Sequence, residues 1–381
     1  MQNDPQRLAA LTVLALSAGW SADPVRTGRV GQQLLDLVPS EGSGQAQDGD
    51  QQTLLLAHWA LGFSYWLRGQ PVPAFEHLSR ALALYTPEAN RPLGGLVAAD
   101  PGVMAKAMLG AVQWQLGYPD QARACFREAV AHGQALEQPS SVAFAHYVAA
   151  MATSAVGRDA DAGLRHAEAL RPLGRVSLVY RAWAETLAGQ AQARGEQPNK
   201  NAAEPVSEEG LARVVEAGSR LEDAGSGGGY AALRLLQAEV CARAGQVEMG
   251  LRAIDQAQAW IERTGMQATQ ADFWRMRGDL LLTVGDERGT IDHRRSPKDE
   301  GRRTADAREA EACFQRALEI AREQQARTFE LRAAVRLARL WQLQGRCDEA
   351  RALLSGIYGW FTEGFDTVDL IEAKALLEEL Q

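Results

Sequence analysis

The strongest constraint in this chain is a set of small residues that recurs at fixed distances from a series of glycines. Gly69, Gly117, Gly157, Gly195, Gly245, Gly285 and Gly345 are separated by 48, 40, 38, 50, 40 and 60 residues; without two polar insertions the interval settles near 40. Seven residues before each glycine stand Gly62, Gly110, Ala150, Ala188, Ala238, Gly278 and Ala338. Five residues after it, allowing for the insertions, stand Ala74, Ala122, Ala162, Gly210, Gly250, Ala310 and Ala350. Seven further on stand Ala81, Ala129, Ala169, Ala217, Ala257, Ala317 and, last, Ile357. Between these two columns sits a larger residue: Leu78, Phe126, His166, Val214, Ile254, Phe314 and Leu354. Small residues midway along two consecutive helices let their backbones approach, the larger one fills the joint, and the glycine supplies a left-handed helix end. Such a period predicts an array of helix pairs, each burying its apolar face against the next.

The predicted fold is all-α, a right-handed α-solenoid of antiparallel helix pairs. The alternation of small and large residues resembles the tetratricopeptide repeat (TPR), whose usual period is about 34 residues; the longer period here implies helices longer by nearly a turn. Seven pairs are expected over 52–89, 101–137, 140–173, 177–222, 229–265, 268–325 and 328–358. Residues 1–50 read as a degenerate N-terminal pair (5–38) with a loop, 51–358 as the array, and 359–381 as a capping helix with Leu370, Ala373, Leu376, Leu377 and Leu380 on one stripe. With 46% hydrophobic and 23% charged residues the chain has ample core-forming material.

Loops are expected at Pro39–Gln51, at an insertion near 196–205, and at another near 286–304, a charged segment carrying Arg294, Arg295, Lys298, Arg302 and Arg303 among acids. Near the N-terminus the apolar run Leu8–Leu16 is too short to span a bilayer and Asp4 offsets Arg7, so it reads as a helix of the array rather than a signal peptide. Asp23-Pro24 is a good helix start. These features predict a cytoplasmic protein with no membrane partner.

Chemistry-bearing motifs are absent. The sequence has no GxxxxGK[ST], no HExxH and no GxSxG. Gly225–Gly229 is glycine-rich but has no Lys-Ser/Thr after it, and reads as a linker. Cys125, Cys241, Cys313 and Cys347 form no CxxC, and the six histidines lie scattered, so neither a metal nor another cofactor is expected. His166 stands out by occupying a core position, as a ligand or pH-sensitive group or as a neutral, hydrogen-bonded core residue. Net charge is −8 and no segment concentrates basic residues, which argues against nucleic-acid binding.

Binding chemistry is therefore sought on the inward face of the first helix of each pair. By register that face carries Trp59, Phe63, Trp66, Trp114 and Tyr147, then Glu185, Glu239, Arg275, Asp279 and Arg339. Trp59, Phe63, Trp66, Trp114, Tyr147, Arg275 and Arg339 are the candidate groove contacts for a protein or peptide, since aromatic and arginine side chains dominate interface energetics. Core packing is the competing role for the rings, and a small-ligand pocket in the same groove is the alternative.

Several stretches carry a closer resemblance: His77–Tyr85, Asp100–Val103, Leu116-Gly-Tyr-Pro-Asp-Gln-Ala122, Ala310–Ala321, and Ile357-Tyr-Gly-Trp-Phe-Thr-Glu-Gly-Phe-Asp366 running into Glu372-Ala-Lys-Ala-Leu376. Together the chain resembles the MalT-like TPR regions that stand C-terminally in bacterial AAA/STAND ATPases joined to class III adenylate/guanylate cyclase or LuxR-type domains. The resemblance implies a non-enzymatic scaffold or sensor arm that binds a protein or peptide and regulates an ATPase or cyclase in cis or in trans, or alternatively senses a small inducer. The chain itself shows no nucleotide-binding, cyclase or helix-turn-helix residues.

Overall fold

The computed structural model describes residues 14, 23–38, 48–87, 99–156, 158–172, 178–193, 208–223, 229–287 and 297–381. Among them are sixteen α-helices and no strand. After α1 (Pro24–Leu35) come seven pairs: α2 (Asp48–Leu67) with α3 (Pro71–Ala83), α4 (Pro101–Leu116) with α5 (Pro119–Ala135), and α6 (Pro139–Met151) with α7 (Ala160–Leu170). They continue with α8 (Leu178–Ala193) and α9 (Glu208–Asp223), α10 (Tyr230–Arg243) and α11 (Val247–Thr264), and α12 (Gln270–Glu287) and α13 (Pro297–Glu323). The last pair is α14 (Arg327–Leu343) with α15 (Cys347–Tyr358), and α16 (Val368–Glu379) follows. No helix of the described residues is long and apolar enough to cross a membrane.

Local chemistry sets the helix starts. Proline, which needs no N–H partner in the first turn, opens α1, α3, α4, α5 and α6. Asp23 caps α1 through Arg26 N–H at 2.8 Å, and Asp100 caps α4 through Gly102 and Val103 N–H at 2.9 and 3.0 Å. Packing then follows the small-residue columns. A Cβ on Gly278 would lie 2.5 Å from the Phe314 ring, so α12 and α13 cross at a distance only glycine permits. Ala74, Ala122, Ala310 and Ala350 are fully buried, as are Ala81, Ala129, Ala217, Ala257 and Ala317.

Two loop expectations change. Asp48–Gln51, read as loop, belongs to α2. Of the charged 286–304 segment, 286–287 close α12 and 297–304 open α13, where Pro297 needs no N–H partner in the first turn. The 196–205 insertion, Gly157, Gly195 and most of 1–22 lie outside the described residues.

The third pair is out of register with the sequence count by one residue. In four pairs the N–H after the turn glycine closes on a carbonyl five residues back: Gln70 on Tyr65, Tyr118 on Gln113, Gln246 on Cys241 and Arg346 on Trp341. In the third, Asp159 N–H closes six residues back on Thr153 at 2.8 Å, because Ala152–Val156 is a π-helical turn holding one extra residue. Arg158, at φ 53°, takes the left-handed position that glycine fills elsewhere. Counting from Arg158, the buried columns become Gly163, Ala167 and Leu170, whereas Ala162, His166 and Ala169 are half-buried. His166 therefore is not the core knob; Ala167 is.

The array curves until its two halves meet. Leu67 O accepts from Gln267 N–H at 2.7 Å, Ala268 O from Gln115 Nε2 at 3.1 Å, and Trp114 O from the Thr328 hydroxyl. One apolar cluster consequently runs from Val30 in α1 through α2, α4, α6 and α8 to Ala271 and Phe329.

Candidate functional site: the inward face and its seam

Closure decides where the inward-facing residues lie. Trp59, Trp66, Trp114, Tyr147 and Arg275 are buried, at 3, 7, 2, 6 and 5% exposure. Phe63 is half-buried, its ring 5.5 Å from that of Trp59 and 5.9 Å from that of Trp66. Arg339 keeps partial exposure and reaches Glu372 and Glu379 at 3.5 and 3.6 Å. An open groove expected from the register is thus filled by the protein's own opposite half. The indole Nε1 atoms of Trp59 and Trp66 are buried without a hydrogen-bond partner, an unfavourable state that costs about 1–3 kcal/mol for a donor.

Facing this aromatic half, the later pairs contribute charge. Arg332, 3% exposed, donates to Asp369 at 3.0 Å and to Asp272 at 3.4 Å. Arg275 bridges Asp272 and Asp279, and Arg336 bridges Asp279 and Glu372 at 3.2 Å each. Arg158 crosses from the third pair to Asp369 at 3.1 Å and Glu372 at 3.0 Å. The space these groups line is too small for a water molecule. Burial alone would raise the Glu372 carboxyl, yet Arg336, Arg158 and Arg339 outweigh it and hold the pKa at about 2. Asp272 is likewise lowered, burial being overcome by Arg275 and Arg332.

The seam is completed by the segment between α15 and α16. Glu363 Oε1 accepts from Asp120 and Gln121 N–H at 2.9 and 3.1 Å, placing a carboxylate on the N-terminus of α5. Gly364 N–H returns a bond to Asp120 at 3.1 Å, and Arg123 contacts both Asp366 oxygens at 2.8 and 3.0 Å. Trp360 packs on Tyr118 with ring centroids 5.5 Å apart, and a Cβ on Gly117 would sit 2.6 Å from it. The stretches Leu116–Ala122 and Ile357–Asp366, quoted above as separate motifs, form one contact. Sequence reasoning missed Arg158, Glu363 and Asp366; for the last two, the density of motif residues in both stretches was the available signal.

Beside the seam, Phe365, Val368 and Ile371 are exposed at 51, 43 and 55%. A shallow recess of about 230 Å³ lies over the junction of the first and sixth pairs, lined by Tyr65, Gln70, Val72, Pro73, Glu323 and Gln324 among others. That volume falls below the roughly 300–1,000 Å³ of small-molecule pockets.

A family profile described as "Tetratricopeptide repeat" matches residues 105–131, across α4 and α5. No curated protein matches the sequence. Among solved structures, yeast Tom70 is similar at 12% identity and a TM-score of 0.44, covering 100% of this chain, which spans 66% of the Tom70 chain. A monomeric IFIT1 mutant with m7Gppp-AAAA is similar at 15% identity and a TM-score of 0.38, over 92% of this chain and 76% of that one. Another, with Gppp-AAAA, gives 14% identity and a TM-score of 0.39 over 98% and 77%. The fold is a TPR-type helical solenoid, on its own helix pairs and on the repeat match.

Proposed function

We propose that this chain is a protein-interaction scaffold, not a catalyst, that alternates between the closed form described above and a form opened by a partner segment entering between its halves. The observation that carries this reading is the unpaired indole donors of Trp59 and Trp66, buried in the apolar cluster that joins the early and late pairs. A peptide backbone carbonyl would satisfy those donors, whereas the closed form leaves them without a partner. Rim pairs such as Arg123–Asp366 contribute only about 0–1 kcal/mol each, so what a partner must replace is the buried contact at Leu67, Gln115 and Trp114. The exposed Phe365, Val368 and Ile371 offer that partner an apolar landing beside the seam. The resemblance to MalT-like regions extends the proposal: opening would be the signal passed to an associated ATPase or cyclase.

The test selects peptides from a displayed library on the full chain, then measures the selected peptides on Trp66→Phe, which removes the donor, and on Arg123→Ala, which loosens the rim. Binding weakened by Trp66→Phe and strengthened by Arg123→Ala is the expected result. Peptides indifferent to both substitutions bind elsewhere and defeat the reading.

A further inference from the structure

Four of the six histidines, scattered in the sequence, are paired by the fold. His58 Nδ1 and His77 Nδ1 are 2.9 Å apart, and so are His146 Nδ1 and His166 Nδ1. Each pair joins the two helices of one repeat, α2 with α3 and α6 with α7. Once the π-helical residue is counted, the two pairs occupy the same register. His58 lies eleven residues before Gly69 and His77 eight after it; His146 lies eleven before Arg158, plus the extra residue, and His166 eight after it. The second pair holds Lys106 and Cys125 at these positions, and the fifth holds Arg234 and Ala253. Register thus brings the positions together, and only the first and third pairs place two imidazoles there among the pairs whose turn is described.

We propose that His58–His77 and His146–His166 are two equivalent bis-imidazole sites for a late first-row divalent cation, Cu²⁺ before Ni²⁺, with water completing the coordination. Imidazole ligation and the rise of affinity to Cu²⁺ along the first row set the preference. Two nitrogens each ~2.0 Å from one ion are ~2.8 Å apart at a right angle and ~3.3 Å apart at the tetrahedral angle. The observed 2.9 Å, also the length of an imidazole hydrogen bond, lies near the cis (right-angle) value, so small ring rotations would let both nitrogens share one ion. The rings are inclined by 38° and 51°, and all four residues are half-buried. Among the described residues no group of three or more His, Cys, Asp or Glu assembles around an ion, so each site supplies two protein ligands.

Calorimetric titration of the full chain with Cu²⁺ in a non-chelating buffer, with electron paramagnetic resonance on the same samples, tests this. Two equivalents are expected, each with nitrogen couplings from two imidazoles. His77→Gln should remove one equivalent, His166→Gln the other, and the double variant both, with unchanged helicity as the folding control. Stoichiometry equal in wild type and double variant overturns the proposal, leaving the 2.9 Å contacts as imidazole hydrogen bonds only. Should a glutamine variant unfold, wild-type chain showing fewer than two-nitrogen couplings overturns it independently.

Discussion

The inward faces of the two halves use one register for opposite chemistry. Trp59 stands ten residues before the turn glycine Gly69 and Arg275 ten before Gly285, which was expected at a turn but lies inside α12, and Tyr147 occupies the same place once the π-helical residue is counted. In the early pairs this position feeds an apolar cluster in which Trp59, Trp66 and Trp114 meet mostly carbon. In the late pairs it feeds a buried ionic network in which nearly every charge has two partners. Burial is similar on both sides, so register decides what is inside and residue type decides how the inside is held. An apolar face tolerates gradual change, because losses scale with the volume removed. An ionic face does not, because deleting one partner leaves the others charged and dry.

That contrast is broken or sharpened first by a pair of substitutions. Arg332→Met removes the guanidinium shared by Asp272 and Asp369 and should cost about 3–5 kcal/mol. Trp59→Phe removes an indole N–H that has no partner and should stay within about 1 kcal/mol, the lost volume being offset by the lost desolvation penalty. Urea unfolding of both variants is the measurement. A Trp59→Phe loss equal to that of Arg332→Met would show that the halves are held alike. A smaller but still sizeable effect is expected at Arg158, which links the halves. Arg158→Gly relieves a left-handed backbone, worth about 1–2 kcal/mol, but leaves Asp369 and Glu372 each short of one buried partner. Net destabilisation is predicted; net stabilisation would show that the crossing ion pairs are dispensable.

Acid should separate the halves as well. His166 is depressed from 6.5 to about 4, first by burial and then by His146 and Arg165. Its unfolded form therefore binds the proton first, and the stability contributed by the neutral ring is lost as pH falls from about 6.5 through about 4. Glu372, depressed from 4.5 to about 2, gives full stability above 4.5 and loses it as pH falls through about 2. Stability against pH should fall in two windows, and His166→Gln should flatten the upper one only. A single window below 4.5, unchanged by His166→Gln, would remove the histidine from the account.

The array was legible because close helix crossings demand small residues, and Gly278 against Phe314 shows how strictly. Glycine also marked most turns correctly, since a left-handed helix end favours it. The one-residue π turn at Ala152–Val156 left no such mark: its residues are ordinary, and Gly157 beside it drew the count one place early. Closure was illegible for a different reason. Register tells which side of a helix faces inward, but curvature accumulates from small rotations between pairs, and no single residue type records their sum. The groove contacts inferred at Trp59, Trp66, Trp114, Tyr147 and Arg275 were therefore placed on the right face, and the occupant of that face came only from the coordinates.

Two further left-handed residues test how much the turns themselves matter. Glu137 and Gln325 hold φ of 53° and 57° between pairs, where a side chain is strained and glycine is not. Gln325 lies just before α14, and the chain closes there through Ala326 N–H to Ala321 O at 2.9 Å, a backbone bond that substitution leaves in place. Gln325→Gly therefore relieves strain without breaking a contact, while adding freedom to the unfolded chain that takes back part of the gain. A stabilisation below about 1 kcal/mol is expected. A loss instead would mean that the Gln325 side chain holds the recess it lines with Gln70 and Gln324, making that junction a further structural tie between the early and late pairs.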